Sequence, residues 1–294
     1  MTTATIDNKV KQIVANIRNL PTPPIVFHQI QKVINDPRVS AGEIANILSE
    51  DPAMSVKVLK LTNSAFYGLT REIESVKQAV VIVGMEAVKN LVLSASVLDM
   101  FKGENTNQEF QERFWRHSLA VAFGARMLSR RLKTRGLVDP DSAFSAGLLH
   151  DIGKMVLSCF LTSENKAVAA ERERDRAAQT FEIEERVLGY NHAQIGSMLA
   201  IQWKLPQRLS DAIACHHHPQ LSESDTPIAY MIHVANYLAK KTFYDQDEQY
   251  LVGHLEEGVL TFLQVTPDDL LNMTDALRDE YLKAETFMKM AGIS

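Results

Sequence analysis

Helix-start signals recur along this chain so regularly that little room is left for any other element. Ser40-Ala41-Gly42-Glu43 reads as a capping box, in which the serine hydroxyl takes the third amide and Glu43 reaches back. Asp51-Pro52 and Asp139-Pro140 each place a capping acid before a proline suited to a first helical turn. Ser75 with Gln78 forms a further box, and Thr266-Pro267-Asp268-Asp269 caps a terminal amphipathic helix. Behind these signals apolar residues return every three or four positions, as in Ile44, Ile47 and Leu48, or Val56, Leu59 and Leu61. No period-two alternation runs long enough to make a sheet, so an all-α fold is expected.

Composition supports a packed protein and narrows its partners. With 294 residues, 46% hydrophobic and 23% charged, the chain can build a real core. A net charge of -5 argues against a general nucleic-acid binder, which needs a dominant basic surface. The local run Arg126, Arg130, Arg131, Lys133 and Arg135 reads as a solvated helix end. Cys159 and Cys215 stand apart and outside any CxxC pattern, which speaks against a disulfide framework and fits a reducing compartment. Residues 1–20 hold no signal-peptide core, and no apolar run approaches the roughly 20 residues of a membrane span. A soluble, cytoplasmic protein without a membrane partner is expected.

Two regions differ in their chemistry. Residues 1–105 read as a bundle of short helices with one histidine, His28, and no catalytic cluster. The polar stretch Lys102–Gln108, with Gly103 and Asn105, is the expected boundary, leaving residues 106–294 as a second subdomain with its C-terminal helices. There the histidines begin. His117 lies on a helix expected from Phe114 to about Leu132, and the helix after Asp139-Pro140 delivers His150-Asp151. His192 lies on a helix expected to run unbroken from Glu182 to Trp203. His216-His217-His218 end a helix begun at Leu205-Pro206, and His233 and Asn236 share one begun at Pro227. Each histidine borders an apolar face, so several converge with Asp151, which is how helical metal sites are built. Imidazole and carboxylate suit a borderline or hard divalent ion. Gly153 is expected to let the backbone turn after the pair, and Lys154 to set a point charge on a phosphate.

The order His117, His150-Asp151, His192, His216-His217 resembles the HD superfamily of metal-dependent phosphohydrolases, and more closely its HDOD branch, the HD-related output domain of bacterial signalling proteins. The resemblance is carried by Leu20-Pro21-Thr22-Pro23-Pro24, Ser49-Glu50-Asp51-Pro52-Ala53-Met54, Leu61-Thr62-Asn63-Ser64-Ala65 and Ile73-Glu74-Ser75-Val76-Lys77-Gln78-Ala79. It continues through Gly147-Leu148-Leu149-His150-Asp151-Ile152-Gly153-Lys154, Leu188-Gly189-Tyr190-Asn191-His192 and Trp203-Lys204-Leu205-Pro206. It implies a helical bundle in the N-terminal half followed by an HD-like all-helical core. Carried across, it implies His117, His150, Asp151, His192, and His216 or His217 as metal ligands, with Asp151 bridging if two ions bind. Where HD hydrolases supply a late Asp, Ala235-Asn236 offers only an amide carbonyl, which adds no charge. The Gly-Tyr-Pro motif of the cyclic di-GMP-hydrolysing HD-GYP branch is missing after the histidine pair, which speaks against that reaction.

The resemblance therefore implies a signal-transduction output or adaptor module, with a signalling protein as partner and an HD-like core that can hold a metal without turnover. The alternative is a metal-dependent phosphohydrolase of a nucleotide or phosphodiester, with His150, Asp151 and Lys154 as its catalytic residues. A nucleotide or phosphate ligand without turnover is the third reading. Fe, Mn, Mg, Ni and Zn all remain open as the divalent ion.

Overall fold

A computed structural model of the chain describes residues 3–17, 20–101, 107–132, 138–223, 227–244, 252–253 and 255–291. Gly103 and Asn105 of the expected boundary, and Lys133 and Arg135 of the basic run, lie outside these residues, and Arg126 of that run is buried beside Asp141 at 3.7 Å and not solvated. The fold is all-α, with no strand among the described residues. No single described helix is long and apolar enough to cross a membrane.

The expected caps close as hydrogen bonds. The Ser40 hydroxyl accepts the Glu43 amide at 3.2 Å and the Asp51 carboxylate that of Met54 at 2.9 Å. Ser75 accepts from Gln78 at 3.2 Å, and Asp139 from Ser142 at 2.8 Å. The Thr266–Asp269 box closes in both directions, at 3.1 and 2.9 Å. Each bond satisfies an amide that the first helical turn would otherwise leave without a partner.

The chain divides into two compact units, one of residues 1–20 with 104–278 and one of 21–103 with 279–294. This differs from a single cut between 105 and 106 at both ends of the chain. In the smaller unit, α2 (Ile25–Val33), α4 (Pro52–Thr62) and α5 (Val76–Val83) pack on α6 (Met85–Met100), which is buried from Ala87 to Leu98, and α3 (Ala41–Ser49) packs on α2, α4 and α5. The last helix, α17 (Glu285–Ala291), packs on α6 and α4, with Phe287 fully buried and edge-on to Phe66. Asn63 closes the connection after α4: its amide donates to the Ile73 carbonyl at 2.8 Å while its oxygen accepts the Ile73 amide at 2.7 Å.

In the larger unit the N-terminal helix α1 (Thr3–Asn16) packs on α12 (His192–Gln202) by burying Val10 and Val14. Its Lys9 also donates to the Leu188 carbonyl at 2.9 Å. The long α7 (Gln108–Arg131) lies against both α8 (Pro140–Leu149) and α14 (Ile228–Phe243). It starts six residues earlier than its apolar stripe suggests, because Asn107 caps it by accepting the Glu109 amide at 3.0 Å. Next come α9 (Ile152–Phe160), α10 (Thr162–Arg174), α11 (Thr180–Leu188) and α13 (Gln207–Cys215), with α15 (Val259–Leu263) and α16 (Pro267–Leu282) closing the series. The expected single helix from Glu182 to Trp203 is two helices. Gly189 takes a left-handed φ of 78° that ends α11, and Asn191 with Gln194 forms the capping box that starts α12.

Gly153 does not make a turn. It lies inside α9, where a Cβ would fall 1.9 Å from the His192 carbonyl oxygen, so its missing side chain lets α9 meet α12 backbone to backbone. Gly153→Ala is expected to force these helices apart at a cost of about 1–3 kcal/mol. Thermal melting should show the loss, and an unchanged Tm would mean that the contact is not close.

Candidate metal centre

The break between α8 and α9 puts His150 and Asp151 at adjacent helix ends, both buried. Around the Asp151 carboxylate stand four imidazoles from four elements. His192 Nε2 is 3.0 Å from Oδ1 and His216 Nε2 3.6 Å from Oδ1. His150 Nε2 is 3.4 Å and His117 Nε2 3.6 Å from Oδ2. His217 joins through its Nε2, 3.0 Å from that of His192. The ligand atoms fall into two sets, His117–His150–Asp151 and His192–His216–His217, each gathered within 4.8 Å.

Backbone and carboxylate acceptors determine which nitrogen of each ring carries hydrogen. His150 Nδ1 lies 2.7 Å from the Gly147 carbonyl and His216 Nδ1 2.8 Å from that of Ile213. A carbonyl only accepts, so both Nδ1 atoms carry the hydrogen, and a neutral ring then presents Nε2 as a lone pair. His192 follows the same rule with a stronger partner. Its Nδ1 is 2.6 Å from the Glu184 carboxylate, and the same oxygen accepts the His192 backbone amide at 2.7 Å. In their neutral form these three rings thus turn their Nε2 lone pairs toward one carboxylate. His150 Nε2, His216 Nε2 and Asp151 Oδ1 are buried without a hydrogen-bond partner. Such acceptors cost about 1–3 kcal/mol each when left unpaired. A cation removes that cost, and a nitrogen-and-oxygen donor set fits a divalent transition ion.

The electrostatics of His117, His216 and His217 suit ligands that shed protons. Burial pushes His117 and His217 well below the ordinary imidazole range and His216 down to about 3. His192 moves the other way: burial is the largest influence and lowers it, but Glu184 and Asp151 together outweigh burial and the Lys154 charge. Burial would also keep Asp151 protonated, but the surrounding imidazoles and Lys154 hold its carboxyl well below the usual range. Lys154 donates to Asp151 Oδ2 at 2.6 Å, so in this state its charge is engaged with the aspartate. A cavity of about 620 Å³ opens onto the cluster, with His117, Asp151, Lys154, His192 and His217 in its wall.

Not every expected residue enters the cluster. His233 uses both nitrogens elsewhere, Nδ1 donating to the His216 carbonyl at 2.8 Å and Nε2 accepting the Glu256 amide at 3.1 Å. It holds the backbone of a cluster residue in place. His218 turns to Glu256 at 3.0 Å. Asn236 lies buried on α14 with an unpartnered Oδ1, and none of the cluster contacts above includes it. Glu184 was not legible beforehand. On one continuous helix, eight residues separate it from His192 by about 12 Å along the axis, and only the reversal at Gly189 brings the two together.

A family model for the HDOD domain matches residues 20–219. An uncharacterized protein of Treponema pallidum is 25% identical over 274 residues, covering 93% of this chain and 52% of that protein. The chain therefore spans about half the length of that relative. Among solved structures, an HDOD domain protein of unknown function from Geobacter sulfurreducens aligns with TM-score 0.72 at 24% identity, over 99% of this chain and 97% of that one. A protein from Shewanella amazonensis named as a candidate phosphohydrolase aligns at 0.73 and 24% identity, over 96% and 97%. One from Marinobacter aquaeolei named as a candidate signal transduction protein aligns at 0.77 and 20% identity, over 99% and 67%. At these identities the likeness is one of fold.

Two outcomes follow from the geometry. Glu184→Gln should weaken binding of added manganese or zinc by about 10–100-fold, as loss of a carboxylate behind a ligating histidine does. Unchanged affinity would mean that Glu184 only caps α12. In metal-free protein, four depressed histidines, His117, His216, His217 and His233, oppose one raised one, so the unfolded chain binds more protons below the ordinary value of 6.5. Stability present above that value is therefore lost as pH falls from about 7 to 5. Melting curves should show a falling Tm, and a rising Tm would contradict the burial of neutral rings.

Proposed function

The chain belongs to the HDOD domain family, and from that premise we propose that it is a signal-transduction output module whose larger unit holds divalent metal at the histidine cluster. The observation that carries the metal reading is the seating of Nδ1 of His150, His192 and His216 on acceptors, which in the neutral rings turns three lone pairs onto Asp151. His117, His150 and Asp151 would hold one ion and His192, His216 and His217 a second, with Asp151 shared because its two oxygens face the two sets. Asn236, by its place in the family pattern, would offer at most a neutral oxygen. A bound divalent ion supplies positive charge for a phosphate oxygen and lowers the pKa of a coordinated water.

The family and the neighbour named as a candidate signal transduction protein support a signalling context with a protein partner. The smaller unit offers no clustered ligating side chains among the described residues and serves in this reading as partner-facing scaffold. An amide in place of a charged ligand supports metal held without turnover. A metal-dependent phosphohydrolase is the second reading, favoured by the cavity that reaches Asp151 and Lys154. In that case Lys154 leaves Asp151 for a substrate phosphate.

Elemental analysis of freshly purified protein tests the proposal. One or two equivalents of a divalent metal per chain are expected, and His150→Ala should lose most of it. A metal-free parent that takes up no added manganese, iron or zinc would overturn the reading. Phosphodiesterase activity in the loaded parent, raised by Asn236→Asp, would transfer support to the hydrolase.

A further inference from the structure

The cavity beside the cluster carries a cation that the cluster does not use. Among the cations in its wall, Arg113 pairs with Glu109 at 2.7 Å, Arg176 with Glu173 at 2.8 Å and Lys154 with Asp151 at 2.6 Å. Arg172 donates to the Thr180 hydroxyl at 3.0 Å. Lys240, in the last turn of α14, has no carboxylate at ion-pair distance among the described residues. Burial pushes its ammonium down to about 8, with Lys154 and Arg172 adding repulsion and Asp151 offsetting part of it. Holding like charges together with one of them unpaired and partly buried is unfavourable unless an anion joins them.

The size of the cavity points the same way. About 620 Å³ lies within the range of small-molecule sites and well beyond the needs of a single phosphate. Glu173 and Glu184, the other acids in the wall besides Asp151, are engaged with Arg176 and His192 and so leave Lys240 uncompensated. We propose that Lys240 and Arg172 form a second anion subsite, so that the cavity takes a small molecule carrying at least two linked phosphate groups. One phosphate sits at the metal cluster beside Lys154, a position that rests on the metal reading above, and the other bridges Lys240 and Arg172. The subsite itself stands on the wall of the cavity. It makes Lys240 a specificity residue, selecting polyphosphorylated ligands over monophosphates, and its ammonium completes a charge-assisted hydrogen bond only when the second phosphate arrives.

Calorimetric titration of the metal-loaded 294-residue chain with inorganic phosphate and with tripolyphosphate tests this, metal content being measured in the same samples. Tripolyphosphate is expected to bind at least about tenfold tighter than phosphate. Lys240→Met should lose about tenfold in tripolyphosphate affinity, the worth of one such bond, with phosphate binding and metal content unchanged and Tm not lowered. Lys240→Arg should restore most of the loss. Equal tripolyphosphate binding by parent and Lys240→Met, or no preference over phosphate, would overturn the subsite while a metal-bearing parent left the metal reading standing. A metal-free parent that still bound tripolyphosphate through Lys240 would uphold the subsite and overturn the metal reading.

Discussion

The larger unit depends on three hydrogen bonds that aim imidazole lone pairs at one carboxylate. Gly147 and Ile213 contribute carbonyls three residues before His150 and His216, and Glu184 contributes a carboxylate to His192. Each acceptor settles a tautomer, and the tautomers together concentrate negative potential inside a helical core. Such an arrangement disfavours the empty folded state and favours the state with a cation, so binding and folding stability are linked through the same atoms.

Close helix contacts hold those lone pairs in register. α9 can bring Asp151 beside His192 because Gly153 presents no side chain to the His192 carbonyl. His233 then fixes the backbone at His216 from α14, with Glu256 completing its second nitrogen. Metal ligands on separate helices need this kind of support, since a shift of even one ångström in one helix would misplace a donor. The cavity with Lys240 opens beside that rigid set, so a ligand meets preformed charge.

Much of this was legible in the residues. Caps at Ser40, Asp51, Asp139 and Thr266 announce helices because capping is a local interaction between neighbours in sequence. The histidines and Asp151 announce a site because several buried imidazoles on apolar faces have few other uses. What remained hidden depends on tertiary geometry. Glu184 reaches His192 only through the reversal at Gly189, and the stripe through that region reads equally well as one helix. The role of Gly153 is a contact across two helices that nothing local signals. The two chain ends also exchange units, because the buried faces of α1 and α17 match surfaces far away in sequence. Lys240 reads as an ordinary solvated lysine until its surroundings are known.

The measurement closest to the central claim is the tautomer of each cluster histidine in the metal-free protein, read from long-range nitrogen–proton NMR correlations of the imidazole rings. Hydrogen at Nδ1 of His150, His192 and His216, with the Nε2 signals of those rings moving on addition of zinc, is the predicted result. Hydrogen at Nε2, or rings protonated on both nitrogens at neutral pH, would mean that the cluster is a hydrogen-bonded core and that its lone pairs do not await a cation.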